Sequence, residues 1–353
     1  METALRIPEF SGQAEMSNRI RIHSTLRHPA IRSLMEPKLH PSQLVMPVFV
    51  SGHRKEDFAI GGFQKDDGGL KQFGYGGNFT TLVEECEKLA EKGLRNIMLF
   101  GVVDEKDSHG KLADHNDCPV IKAMQAIRKN KSLNKVSLMA DVCLCEYTDH
   151  GHCGILEADG CSVDNEKSVQ RLTEIAVSYA DAGADVVVPS DMMDGRVGAI
   201  RDALSKSGNN HVAIMSHSSK KATVLYSPFR SAVESTFSGN RKAYQHPVGS
   251  SSVAMRALHR DVSEGADIVM VKPSLMYTDL IAQYKEASPS TPVAAYVVSG
   301  EYKMLHDYGS STGTLKEIVR ESHLSLVRAG ASVIVTYFTP HLLDEISRWS
   351  DLS

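Results

Sequence analysis

From about residue 41 onward, short β-branched, apolar runs alternate with segments whose apolar positions recur at helical spacing. The runs are LVMPVFV (44–50), RNIMLFG (95–101), VSLMAD (136–141), DVVVPS (185–190), VAIMSH (212–217), DIVMVK (267–272), VAAYVVS (293–299) and SVIVTY (332–337). Helical periodicity fills the stretches TLVEECEKLAEKG, PVIKAMQAIRKN, EKSVQRLTEIAVSYADAG and LKEIVRESHLSLVRAG. Gly183, Gly265 and Gly330 each stand just before a run, where a helix must end and a strand begin.

Nearly continuous hydrophobicity marks strands buried on both faces, which is the signature of a parallel sheet. Eight strand–helix units in this length predict an α/β fold of the (β/α)8 TIM-barrel type. A doubly wound open sheet is the structural alternative, but no Gly-x-Gly-x-x-Gly follows the first run. Residues 1–40 have weak periodicity and polar breaks, and read as an extended N-terminal arm ahead of a barrel over 41–353.

Composition narrows the function. The 353 residues are 42% hydrophobic and 23% charged, with a formal net charge of −4, which gives no electrostatic reason to bind nucleic acid or an anionic membrane. The basic stretch RKNKSLNK at 128–135 reads as a solvated loop. No apolar run approaches the roughly 18 residues of a membrane span. The N-terminus lacks an apolar signal core and carries acidic residues, so a cytoplasmic protein is expected. In a reducing compartment its six cysteines should be thiols or metal ligands.

Reactive groups gather at or just past the ends of the proposed strands: Asp141, Ser190, Asp191, Ser216, Lys272, Ser299 and Tyr337. In a barrel those ends converge on one face. The stretch DVCLCEYTDHGHCG (141–154) adds Cys143, Cys145 and Cys153 in C-x-C-x7-C spacing, with Gly151 and Gly154 letting the chain return. Three thiolates suit Zn²⁺ and leave a coordination position open, the pattern of a catalytic zinc. A structural Cys3His site using His150 or His152, or plain buried thiols, are the alternatives. Cys86 and Cys118 fall in or at helices and read as structural, and Cys161 is left out of the site.

Lys272 terminates an apolar strand and Lys220 follows the preceding one. Strand ends in a barrel are near neighbours, so desolvation and like charge are expected to lower both pKa values. A neutral lysine can attack a ketone to form a Schiff base. The bland reading of either lysine alone is a snorkelling surface side chain.

At these residues the chain resembles the porphobilinogen synthases, also called 5-aminolevulinate dehydratases. The resemblance runs from about residue 24 to the end and is carried by DVCLCEYTDHGHCG, PSDMMDGRVGAIRDAL, SPFRSA, RKAYQ, MVKPS, VSGEY and TYFTP. It implies a lyase that condenses two 5-aminolevulinate molecules to porphobilinogen, with loss of two waters, on the route to tetrapyrroles and heme. It implies a homo-octamer in which the arm wraps a neighbouring subunit. Cys143, Cys145 and Cys153 would hold the zinc. Lys272 and Lys220 would form the two imines, with Asp141 and Ser190 beside them. Arg230, Arg241 and Gln245 would meet one substrate carboxylate, Ser299 and Tyr337 the other, and Tyr226 and Phe229 would wall the pocket.

Departures accompany the match. HSSKK places His217 and Lys221 around Lys220, where the family usually has aromatic residues, and Lys220 rather than Lys221 keeps the spacing to SPFR. Ser227, Ser231, Asn240, Ser274 and Lys303 also depart from the usual residues, and the segment GGFQKDDGGLKQFGYGG lacks the usual Pro-Gly-Val. Ala243 argues against a second zinc site, and Arg260 against a Mg²⁺ requirement. Two other functions stay in view. One is an aldolase-like lyase on another keto acid, which gives the three-cysteine loop no task. The other is a catalytically impaired paralogue serving as a zinc-binding oligomeric scaffold, motivated by the residues around Lys220.

Overall fold

The computed structural model describes residues 22–60 and 70–346. Residues 1–21 of the expected arm, 61–69 of the glycine-rich segment and 347–353 lie outside the described residues. Ten strands run in chain order: β1 (Leu44–Ser51), β2 (Phe58–Ala59), β3 (Lys71–Phe73), β4 (Asn96–Val102), β5 (Ser137–Val142), β6 (Val186–Pro189), β7 (Ala213–Lys220), β8 (Ile268–Lys272), β9 (Val293–Val297) and β10 (Val333–Thr336).

Eight of these close a parallel ring in the order β1-β4-β5-β6-β7-β8-β9-β10, and β10 returns to β1 through Leu44↔Ile334 and Val45↔Val335. The expected barrel is therefore formed. Each sequence run supplies one stave. Burial on both faces explains why alternation is absent from the pattern: every residue of β1 is buried, between barrel interior and helices. Past the point where β10 ends, β3 pairs parallel with Phe49 and Val50 of β1, and β2 adds antiparallel to β3.

The helices obey their local signals. Pro119 occupies the first turn of Pro119–Lys129, and the Asp164 side chain accepts from Lys167 N at the start of Asn165–Asp181. Gly183, Gly265 and Gly330 adopt φ of 105°, 97° and 112°, the left-handed turn that a side chain would resist.

Lys38–Ile346 forms one compact unit, apart from residues up to 37. Residues 22–37 fall within the expected arm. They contain two short helices, His23–Leu26 and Pro29–Met35. The second starts where His28 Nδ1 accepts from Ala30 N at 3.2 Å and Pro29 presets the first turn, a capping signal too local for periodicity to register.

Candidate active site

The ends of β5, β6, β7 and β8 supply the reactive groups, as parallel strands in register must. Lys220 ends β7 and Lys272 ends β8, and the two are paired directly across the ladder. Both are buried. They line one small cavity with Asp141, Cys145, Ser190, Tyr226, Phe229, Arg230 and Arg241, joined by Phe100, Val233 and Ser235.

The two lysines have different surroundings. Lys272 Nζ lies 3.9 Å from the centre of the Tyr296 ring, 5.5 Å from Phe229 and 5.8 Å from Tyr226. Burial, with the Lys220 ammonium adding to it, brings the Lys272 pKa down to about 7. Lys220 donates instead to the Ser190 carbonyl, while Ser190 Oγ donates to Asp141 Oδ2 at 3.0 Å. The expectation that both pKa values fall is corrected here. Desolvation does push Lys220 down, but its interactions with the side chains of Cys153, Cys143, Cys145 and Asp141 act the other way, and its pKa is raised. Burial lifts the Asp141 carboxyl to about 6, and its Oδ1 has no hydrogen-bond partner.

Cys143, Cys145 and Cys153 are buried, with their sulfurs all within 4.8 Å of one another and Cys143 Sγ 3.3 Å from Cys145 Sγ. Ligand sulfurs about 2.3 Å from a tetrahedral zinc sit roughly 3.8 Å apart, so the set fits such an ion. Among the described residues neither His150 nor His152 joins the cluster. The His150 ring accepts from His152 N, and His152 Nδ1 meets the Tyr244 hydroxyl at 3.0 Å. The geometry thus favours three sulfurs over Cys3His. Cys86, pushed up to about 12 by burial, and Cys118 are buried elsewhere, and Cys161 is exposed.

Two guanidiniums cover the cavity. Arg241 donates to the Gly151 carbonyl at 2.7 Å and lies 4.6 Å from the Phe237 ring, with Arg230 5.1 Å from the same ring. Three residues singled out from sequence are not in the cavity wall. Gln245 is buried with its Nε2 unpartnered. Ser299 Oγ accepts from Phe229 N at 3.0 Å, and Tyr337 OH meets Tyr296 OH at 3.4 Å. Lys221 turns away from the cavity, its Nζ donating to the Pro247 and Ser250 carbonyls.

Sequence reasoning missed Tyr296, the aromatic nearest the Lys272 amine, and Phe237, which supports both arginines. Tyr296 stood out as the one aromatic in VAAYVVS, a strand too short for its inward face to be assigned without neighbours.

Comparison with known proteins agrees with this geometry. The delta-aminolevulinic acid dehydratase family pattern matches residues 19–345. The delta-aminolevulinic acid dehydratase of Bos taurus is 43% identical over 330 residues, covering 91% of this chain and 97% of its own. That of Dictyostelium discoideum is 43% identical over 330 residues, covering 92% of this chain and 96% of its own. The crystal structure of delta-aminolevulinic acid dehydratase (porphobilinogen synthase) from Toxoplasma gondii ME49, in complex with the reaction product porphobilinogen, superposes with a TM-score of 0.87 at 33% identity, covering 94% of this chain and 92% of its own. The chain belongs to the delta-aminolevulinic acid dehydratase family.

Proposed function

We propose that this chain condenses two molecules of 5-aminolevulinate into porphobilinogen with release of two waters, through imines on Lys272 and Lys220. The observation that carries this reading is the pairing of Lys220 with Lys272 at one ladder position, in a cavity that Cys145 also borders.

Near neutral pH a large share of Lys272 is free amine, the form that attacks a ketone. Addition gives a carbinolamine, and loss of its hydroxyl with a proton from nitrogen gives the imine and one water. The aromatic walls of Tyr226, Phe229 and Tyr296 keep bulk water from reversing that step. Asp141, with a carboxyl near 6 and an unpartnered oxygen, is suited to hold and return a proton beside Ser190. Arg230 and Arg241 offer guanidinium forks to a substrate carboxylate. For Ser299 to meet the second carboxylate, its hydroxyl hydrogen must leave the Leu225 carbonyl, 3.4 Å away, while its oxygen goes on accepting from Phe229 N. Tyr337 would join it, and Gln245 would support the arginines.

Cys143, Cys145 and Cys153 would hold zinc, which when bound supplies a Lewis acid for a substrate oxygen. The reading extends to a homo-octamer assembled through the arm at residues 1–40, a cytoplasmic location and no Mg²⁺ requirement. Family resemblance supports these parts. Among the described residues no helix is long and apolar enough to cross a membrane. The impaired-scaffold alternative loses its main motive, because Lys221 faces the loop at 247–250 rather than Lys220.

The test is pyrrole formation from 5-aminolevulinate, before and after chelation and with zinc restored, alongside borohydride trapping and peptide mapping. Substrate mass on both lysines is expected. Mass on Lys272 alone overturns the two-imine assignment, and no pyrrole from folded, zinc-loaded protein overturns the activity.

A further inference from the structure

β7 approaches the barrel mouth as Ser216-His217-Ser218-Ser219-Lys220. Ser216 pairs with Val269 but Ser219 pairs with Val271, so three steps on β7 match two on β8. One residue is extra, which is a β-bulge. Its effect on direction is visible in what each side chain meets. Ser216 Oγ donates to Asp261 Oδ2 at 2.6 Å, on the outer helix Ser252–Ser263. His217 turns the other way, its ring 6.3 Å from that of Tyr296. Ser218 lies beside Asp261 and Ser219 beside Tyr284, both on the helix side.

In an unbroken strand, alternation would send Ser216, Ser218 and Lys220 to the same outer face. The extra residue inverts the phase after Ser218. Lys220 therefore turns inward and Lys221 outward.

Something must hold the bulge, because it interrupts the ladder and frees backbone groups. Arg196, wholly buried at the start of the helix Arg196–Lys206, donates to the His217 carbonyl at 3.1 Å and to Ser216 Oγ at 3.2 Å. Its charge is met by Asp191 at 3.5 Å and Asp261 at 3.7 Å. A buried ion pair adds little stability over apolar packing, and its best-attested use is to specify a register.

We propose that Arg196, with Asp261 and Ser216, is a positioning group for Lys220: it holds the bulge whose phase turns that lysine toward Lys272. The proposal rests on the imine role of Lys220.

The experiment uses the full-length, zinc-loaded protein and its Arg196→Lys, Asp261→Asn and Ser216→Ala variants. Each is trapped with 5-aminolevulinate and borohydride, and the label on each lysine is quantified by peptide mapping beside kcat and KM. In Arg196→Lys and Asp261→Asn, label on Lys220 relative to Lys272 is expected to fall at least about tenfold. kcat should fall with it, and KM should move less than about threefold. Ser216→Ala removes one hydroxyl and no charge, so it decides the matter if the charged variants do not fold. Its expected fall is about threefold. A wild-type labelling ratio in folded variants overturns the proposal, whatever their melting temperatures. Wild-type protein that never labels at Lys220 would instead overturn the imine reading, before any variant is made.

Discussion

Lys272 and Lys220 occupy the same ladder position on neighbouring strands, yet their surroundings push them in opposite directions. Lys272 is walled by aromatic rings and repelled by the Lys220 ammonium, so desolvation prevails over the pull of Asp141 and the cysteines and the amine becomes available. Lys220 looks across at carboxylate and sulfur, and its ammonium is retained. The difference shows that desolvation alone does not make a nucleophile. The balance between burial and the surrounding charges decides.

The largest effect that would break this contrast is loss of the ready amine. Lys272→Met should lower kcat by at least ~10³-fold, and trapping should then find no label beyond Lys220. Next comes the support of the sulfur side. Tyr244 packs against the cysteine cluster, and its hydroxyl accepts from Cys153 N at 3.4 Å. Tyr244→Phe should weaken zinc binding about 10- to 100-fold in chelator competition, with Lys272 trapping unchanged.

The pH dependence tests the contrast more finely. Only neutral Lys272 attacks, so its trapping rate should rise as pH climbs through about 7 and fall as the ammonium forms below it. Lys220→Met removes a like charge and should move that midpoint up. Asp141→Asn removes a charge that favours the ammonium and should move it down. The smallest catalytic effect belongs to Lys221→Met. It should cost about 1–2 kcal/mol of stability in denaturant titration, through two carbonyls losing a charged donor. Turnover should change less than about threefold, because that ammonium does not face the cavity.

The fold could be read from sequence because each parallel stave is buried on both faces, which leaves a short apolar run that nothing else in a soluble chain produces so regularly. The cysteine loop and Lys272 were legible for a related reason: reactive residues stood at the ends of such runs. What escaped depends on neighbours distant in sequence. No local pattern announces that Ser218 is an extra residue, or that Lys220 will face three sulfurs. Ser299 and Tyr337 lie at strand ends as expected, but there Ser299 donates to the Leu225 carbonyl and Tyr337 OH meets Tyr296 OH. The helix at Pro29–Met35 was overlooked because a cap of two residues leaves no periodic trace.

β6 and β7 are registered only at Val186↔Ala213 and Val187↔Ile214, after which β7 runs on toward the mouth paired with β8 but not with β6. What joins the two staves beyond that point includes the Lys220 ammonium on the Ser190 carbonyl. An ammonium has three protons to give, and a protonated imine has one. If Lys220 carries substrate as proposed, the tie to β6 would compete with every other demand on that single hydrogen. On that proposal the substrate would enter the frame of the barrel as a strut, and product release would also be the moment at which the protein mends its own wall.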